Sequence, residues 1–243
     1  MVVLVPPIIK RNQVTDLKYR DFIEVTYSRS MGEAAAISSF HDVEKNLLEL
    51  VKSEQLRHLR IHYPVEWAEF DQLLRSRGFS SGLFHIHLVG YPPGTLAPKL
   101  REIRDLTTLH PLLGEQQKLH YNFNPDFFED PKDFDMQAYL KDLESAIACD
   151  TGAVYGYYEE DHLVGYIGLE MQGELLYIEE LFVDPAYRGK HLGRTLMQAA
   201  FYFARLRNCR AVTSSLAPQN EGAMHFYEKC GFTVEWVTRY RNV

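Results

Sequence analysis

The 243-residue sequence predicts a chain of the α/β (α+β) class in two parts, a smaller β-α-β-α-β half-domain followed by a larger α/β domain. Three observations lead there. Segments with helical and strand periodicity alternate along the chain. The run Gly90-Tyr91-Pro92-Pro93-Gly94 interrupts both patterns, because two prolines between glycines continue neither a strand nor a helix. Further on, an apolar strand ending at Asp184-Pro185 passes through a basic, glycine-containing turn into a long helix with an apolar stripe. The division is therefore 1–91, a linker at 92–97, and 98–243.

In the first part, Met1 to Ile9 and Tyr19 to Tyr27 read as strands, the second alternating and rich in aromatic and β-branched residues. Glu33 to Lys52 carries helical spacing through Ile37, Phe40, Val43, Leu47 and Leu50. His58 to Tyr63 follows as a strand, Trp67 to Arg77 as a helix stopped by Gly78, and Leu83 to Val89 as a closing strand. In the second part, a strand at Lys99 to Arg104 precedes helical segments through Leu119 and from Phe134 to Ala148. Val154 to Tyr158 and Leu163 to Glu170 flank a polar hairpin, and Gly173-Glu174 turns into Leu175 to Val183. A helix from Gly189 to Arg207, a strand at Ala211 to Leu216, a helix at Gly222 to Lys229 and a strand at Phe232 to Tyr240 complete the reading.

Composition narrows the function classes. A hydrophobic share of 46% with 24% charged residues is that of a globular chain with a core. The net charge of −7 argues against nucleic acid or an anionic membrane as partner. Cys149, Cys209 and Cys230 form an odd set without Cys-x-x-Cys spacing, which suits a reducing compartment better than a disulfide framework or a zinc ribbon. The apolar start lacks a basic region and a cleavage site, and no apolar run reaches the roughly 20 residues of a membrane span, so the expected location is cytoplasmic.

The two parts also resemble each other. Phe22-Ile23-Glu24-Val25 stands 55 positions before Gly78 (78 − 23), much as Tyr177-Ile178-Glu179-Glu180 stands 53 before Gly231 (231 − 178). Helix, strand and helix fill both intervals, which makes the first part a candidate degenerate repeat of the second. That copy lacks the Arg-Gly chemistry of the turn described next.

The turn is Arg188-Gly189-Lys190-His191-Leu192-Gly193-Arg194, and the stripe behind it runs through Leu192, Leu196, Ala199, Ala200, Phe203 and Leu206. A helix start offers unpaired N–H groups and partial positive charge, and glycine lets a ligand approach the backbone. Arg188, Lys190 and Arg194 add cations suited to phosphate. The combination predicts a pyrophosphate cradle. Neither a Walker loop nor a Gly-x-Gly-x-x-Gly dinucleotide fingerprint fits the segment.

This segment resembles the acetyl-CoA-binding motif of the Gcn5-related N-acetyltransferase (GNAT) superfamily, Gln/Arg-x-x-Gly-x-Gly/Ala after a strand ending in Val-x-Pro. Arg188 stands at the first position and Gly193 at the last, while His191 replaces the middle glycine. Asn220, Ala223 and Phe226-Tyr227-Glu228-Lys229-Cys230-Gly231-Phe232 resemble the family's downstream element, so the likeness covers roughly residues 98–243. It implies a mixed, mostly antiparallel central sheet flanked by helices, with two central strands splayed to admit the pantetheine arm of acetyl-CoA. It further implies that Leu181, Phe182 and Val183 bond that arm through their backbone, that Arg188, Gly189, Lys190, His191, Leu192, Gly193 and Arg194 hold the pyrophosphate, and that Asn220 approaches the pantetheine or its exit path.

By the same resemblance Tyr227 is the general acid near the coenzyme sulfur, and Glu179 or Glu180 is the base. Strand alternation sends these two carboxylates to opposite faces, so at most one is expected in the cleft unless a bulge intervenes. The expected reaction is acetyl transfer from acetyl-CoA to a primary amine by direct attack in a ternary complex. The expected acceptor is a small molecule or peptide, met by a region containing His120, Tyr121, Asn122, Phe123, Asn124, Phe127 and Phe128; net acidity favours a cationic one. A second reading, a catalytically degenerate CoA-binding regulatory protein, rests on His191 and on the unassigned base. The first half has three open roles: a roof over the acceptor site, a homodimer interface, or plain packing. His58, His62, His85 and His87 fall on strands read as neighbours, but strand histidines are far more often structural than metal ligands, and no metal is expected.

Overall fold

A computed structural model describes residues 8–12, 22–54 and 56–242, and all its strands join one ten-stranded sheet. The strands are β1 (Ile8–Asn12), β2 (Phe22–Thr26), β3 (His58–Pro64), β4 (Ser80–Val89), β5 (Leu100–Glu102), β6 (Gly152–Glu159), β7 (His162–Gln172), β8 (Leu175–Val183), β9 (Ala211–Leu216) and β10 (Thr233–Asn242). The helices are α1 (Glu33–Ser53), α2 (Ala68–Ser76), α3 (His110–Phe123), α4 (Met136–Ala148), α5 (Leu192–Leu206) and α6 (Glu221–Lys229). Of the strands expected from the sequence, positions 1–7 of the first and 19–21 of the second lie outside the described residues.

Two parallel crossovers organise the sheet. β2, α1 and β3 form one, and β8, α5 and β9 form the other. All other strand pairs are antiparallel. The mixed, mostly antiparallel sheet flanked by helices is thus the observed architecture. Each crossover is followed by a helix and a strand that does not return to its own half. The order β1-β2-β3-β10-β4-β9-β8-β7-β6-β5 puts β10, the last strand of the chain, against β3, and β4 of the first half against β9. The exchanged strands pair with each other at the centre. The two halves therefore share one succession and one pairing pattern, and the segment 92–97 separates two stretches of sequence without separating two sheets.

Local chemistry explains these elements. Buried Ala36, Phe40, Leu47 and Val51 recur on one face of α1, and α5 buries Leu196, Ala199, Ala200, Phe203 and Ala204. At roughly 1.5–3 kcal/mol for each large apolar side chain, these stripes hold the helices on the sheet. Asp135 caps α4 through Ala138 N–H at 3.1 Å, and Asn220 caps α6 through Ala223 N–H at 3.1 Å. The linker and the residue before it are docked: Tyr91 donates to Cys209 O at 2.6 Å and stacks on Phe201. Gly94 passes so close to α5 that an added Cβ would stand 2.0 Å from the amide nitrogen of Tyr202.

One ion pair, its cation buried, ties an exchanged strand to the half it enters. Arg239 on β10 is 3% exposed and bonds Asp71 of α2 at 2.5 Å, Tyr63 Oη at 3.0 Å and Ser81 Oγ at 2.9 Å. Burial of Asp71 raises its pKa, but bonds from Arg239, Tyr63 and Arg75 outweigh that and hold the carboxyl below its ordinary value. Removing Arg239 takes its bonds from a half-buried carboxylate that keeps Tyr63 and Arg75 as partners. We expect Arg239→Ala to lower unfolding free energy by about 1.5–3 kcal/mol in urea titrations. Because the folded pKa of Asp71 is depressed, its contribution is present above about pH 4 and fades as the pH falls further, so Asp71→Asn should flatten the acid limb of the stability curve.

Candidate functional site

β8 and β9 pair only from Leu175↔Ala211 to Ile178↔Ser214 and then part. Beyond that rung β8 continues through Leu181, Phe182 and Val183 paired to β7 alone, which leaves its other edge facing a wedge. The matching strands of the first half stay closed. β2 and β3 pair along all of β2, and Tyr27 N–H adds a bond to His62 O at 2.9 Å. Among the described residues, the second half has a fork and the first has none.

At one end of the fork lies the basic turn. Asp184 caps a short 3-10 turn, Pro185–Tyr187, after which Gly189 adopts φ 79° and His191 φ 62°. These left-handed residues delay the helix, so α5 begins at Leu192 rather than at Gly189 as expected from the sequence. His191, at the N-cap, makes no side-chain cap, and Thr195 N–H is bonded to His191 O at 3.2 Å. The amides ahead of it are the orphan donors of a helix start. Arg188, Lys190 and Arg194 are exposed around them, with Arg188 Nε donating to Val183 O at 3.0 Å. Gly193 sits against Phe226, whose ring lies 3.2 Å from where a Cβ would stand, so α5 and α6 meet closely there.

At the other end, a cavity of about 730 Å³ opens between the sheet and α3 and α4. Among the described residues its wall carries five carboxylates, Glu129, Asp142, Glu170, Glu179 and Glu180, and no lysine or arginine. The pairing of β7 with β8 explains why both Glu179 and Glu180 are present. Gly168 pairs with Glu180 and Leu169 with Ile178, which makes Glu179 the extra residue of a β-bulge. A Cβ built on Gly168 would lie 3.8 Å from that of Glu179 and 3.9 Å from that of Glu180. The alternation argument, which sends them to opposite faces, fails at this bulge. Glu180 is buried, receiving bonds from Gln116 Nε2 and, at 3.5 Å, from Tyr139 Oη. Tyr166 Oη donates to Gln116 Oε1 at 2.6 Å, completing the support.

Tyr227 does not line this cavity. It is buried between Phe226 and Phe232, lines a smaller space of about 260 Å³, and its hydroxyl meets that of Ser214. Ser214 donates to Ile178 O at 2.9 Å, so Tyr227 touches the last rung before the fork. Burial raises its pKa, despite the Ser214 bond, which keeps the phenol protonated at neutral pH. Asn220 is occupied as the α6 cap. His120 and Phe128 reach the cavity and stack on each other, whereas Phe127 packs on His58 and Asn124 bonds Ser81 O and Tyr240.

The histidine grouping needs correction. β3 and β4 are not neighbours, because β10 lies between them, although His62 and His85 still meet with ring centroids 4.4 Å apart. No group of three metal-binding side chains occurs among the described residues. Gln116, Tyr139 and Tyr166 escaped the sequence reading. Gln116 had a usable signal, a polar residue on the buried face shared with Leu112 and Leu113.

The model of the Acetyltransferase (GNAT) family matches residues 117–232. Spermidine N(1)-acetyltransferase of Vibrio cholerae is 30% identical over 138 residues, covering 54% of this chain and 75% of that protein. Of three further curated relatives, the chain spans 29%, 65% and 46% of their own length. In fold, the chain is similar to a GCN5-related N-acetyltransferase from Sphaerobacter thermophilus, with a TM-score of 0.57 at 14% identity over 91% of this chain and 73% of that one. It is also similar to a tandem GNAT protein from the clavulanic acid biosynthesis pathway, with a TM-score of 0.54 at 14% identity over 91% and 75%.

The left-handed His191 yields a test. An L-residue there costs about 1–2 kcal/mol, and glycine returns about 0.4–1 kcal/mol of that as unfolded-state entropy. His191→Gly should therefore raise stability by roughly 0.5–1 kcal/mol in a thermal melt, and His191→Val should lower it.

Proposed function

The chain belongs to the GNAT acetyltransferase family, and from that membership we propose that it moves an acetyl group from acetyl-CoA to a primary amine of a cationic small molecule or peptide, by direct attack in a ternary complex. The observation that carries this reading is the opposition of charge across the fork, cations and orphan amides at the α5 turn and five carboxylates in the cavity. An anionic coenzyme and a cationic acceptor are thereby drawn to opposite ends of one wedge. The relative named for spermidine acetylation is consistent with an acceptor of this kind.

The residues present fit the coenzyme. The amides at the start of α5, with Arg188, Lys190 and Arg194, receive the pyrophosphate. The unpaired edge of β8 at Leu181, Phe182 and Val183 receives the pantetheine amides as an added strand would. Acetyl-CoA supplies the activated acyl group as a thioester, and a backbone N–H near Phe182 or Val183 polarises its carbonyl. The protein moves the protons. Glu180, anchored by Gln116 and Tyr139, is a fixed negative charge that steers the ammonium group. Glu179, half-buried on the bulge, takes the proton that leaves the amine a nucleophile. Tyr227, kept neutral by burial, gives its proton toward the departing thiolate at the fork.

Two measurements test this. Acetyl-CoA at a hundredfold excess over Kd should stabilise the wild type by about 2.7 kcal/mol, and Arg188→Ala should weaken the shift; no shift at millimolar coenzyme would sink the cradle. Amine-dependent thiol release should fall about 10²-fold in Tyr227→Phe and in Glu179→Gln. Glu180→Gln should chiefly raise the amine KM. Equal effects of both glutamate changes on kcat would remove this division of roles.

A further inference from the structure

One half-buried cluster reaching the cavity wall has no part in this chemistry. Ser215 stands on β9 one residue past the Ile178↔Ser214 rung, on the arm of the fork opposite Glu179 and Glu180, and lines the cavity. Its Oγ lies 2.7 Å from Nδ1 of His85. Nε2 of His85 lies 2.7 Å from Thr238 Oγ1, which in turn lies 3.1 Å from Nδ1 of His62. The four side chains form a row across β9, β4, β10 and β3, with His85 paired to Ser215 and Thr238 paired to His62 as cross-strand neighbours. His85 comes from β4, the strand that the first half inserts into the second.

We propose that His85 is a positioning residue of the acceptor site, holding the Ser215 hydroxyl so that its oxygen lone pairs face the cavity and accept an N–H of the incoming amine. Ser215 donates to Nδ1 of His85, Nε2–H of His85 donates to Thr238, and Thr238 donates to Nδ1 of His62. A neutral imidazole has one N–H and one lone pair, so a His85 that accepts from Ser215 must donate to Thr238, and this sets the sense of the row at the cavity end. In this sense every hydrogen points away from the cavity, and the wall gains one more acceptor alongside its carboxylates. Burial, with His62 and Arg60 nearby, holds the pKa of His85 well below its ordinary value, so the ring adds no positive charge that would repel a cation. The first half thereby supplies part of the acceptor site.

The inference rests on the acceptor reading above, and its test separates the two. Wild type, Ser215→Ala, His85→Phe and the double variant are assayed for thiol release from acetyl-CoA with 1,4-diaminobutane as acceptor. We expect the amine KM to rise about tenfold in each single variant, the loss of one hydrogen bond to a charged group, with the acetyl-CoA KM unchanged. The double variant should be no worse than Ser215→Ala, because His85 acts only through that hydroxyl. His85→Asn, whose amide can stand where Nδ1 stands, should recover most of the wild-type KM, and it serves as the folded variant if His85→Phe fails to fold. A merely structural role would raise both KM values and add in the double variant, which would overturn the inference. An unchanged amine KM in Ser215→Ala would overturn it as well while leaving the acceptor reading intact. A wild type that binds acetyl-CoA and ignores the amine would overturn both.

Discussion

The pairing of β4 with β10 is the constraint on which the rest of the molecule depends. Each strand ends one half of the sequence and enters the sheet of the other, so neither half can close its own sheet. Without β4, β9 would present a bare edge beside the fork; without β10, β3 would do the same. Side chains reinforce the exchange. Arg239 carries a buried charge from β10 into the α2 side of the first half, and Asn124, at the end of α3, bonds Ser81 O and Tyr240. Such a structure gains its stability from contacts distant in sequence and should be lost as a unit.

Within this near-symmetric frame the two crossovers differ at one point. After equivalent rungs, β2 and β3 remain hydrogen-bonded while β8 and β9 separate. The separation is supported on both arms. Ser214 fastens the last rung through Ile178 O, and the bulge at Glu179 turns two consecutive carboxylates into the opening. The cost of burying Glu180 is offset by Gln116 and Tyr139, which Tyr166 steadies in turn. The closed crossover keeps the same layout but fills its interior with apolar side chains, among them Ile23, Val25, Leu59 and Ile61.

Most elements were legible in the sequence because period and punctuation are local signals. The apolar stripe of α5, the stop at Gly78 and the hairpin between β6 and β7 all stand close to where the pattern puts them. The basic turn was legible for the same reason. What escaped was non-local or conformational. The exchange pairs Phe84 with Leu216, and nothing near either residue announces it. Because β10 separates β3 from β4, the histidine pairs could not be neighbours in the way their spacing suggested. The bulge at Glu179 overrode the alternation rule, and the left-handed φ of His191 moved the start of α5.

Native-state hydrogen exchange on the intact chain tests most directly whether the exchanged strands make one unit of the two halves. The account predicts that the interior amides of β2, β3, β4 and β10 exchange with the same opening free energy as those of β7, β8 and β9, and that all of them slow together when acetyl-CoA is added. Strands β2 and β3 opening at a markedly lower free energy, with β8 and β9 still protected and the response to acetyl-CoA confined to the second half, would contradict it.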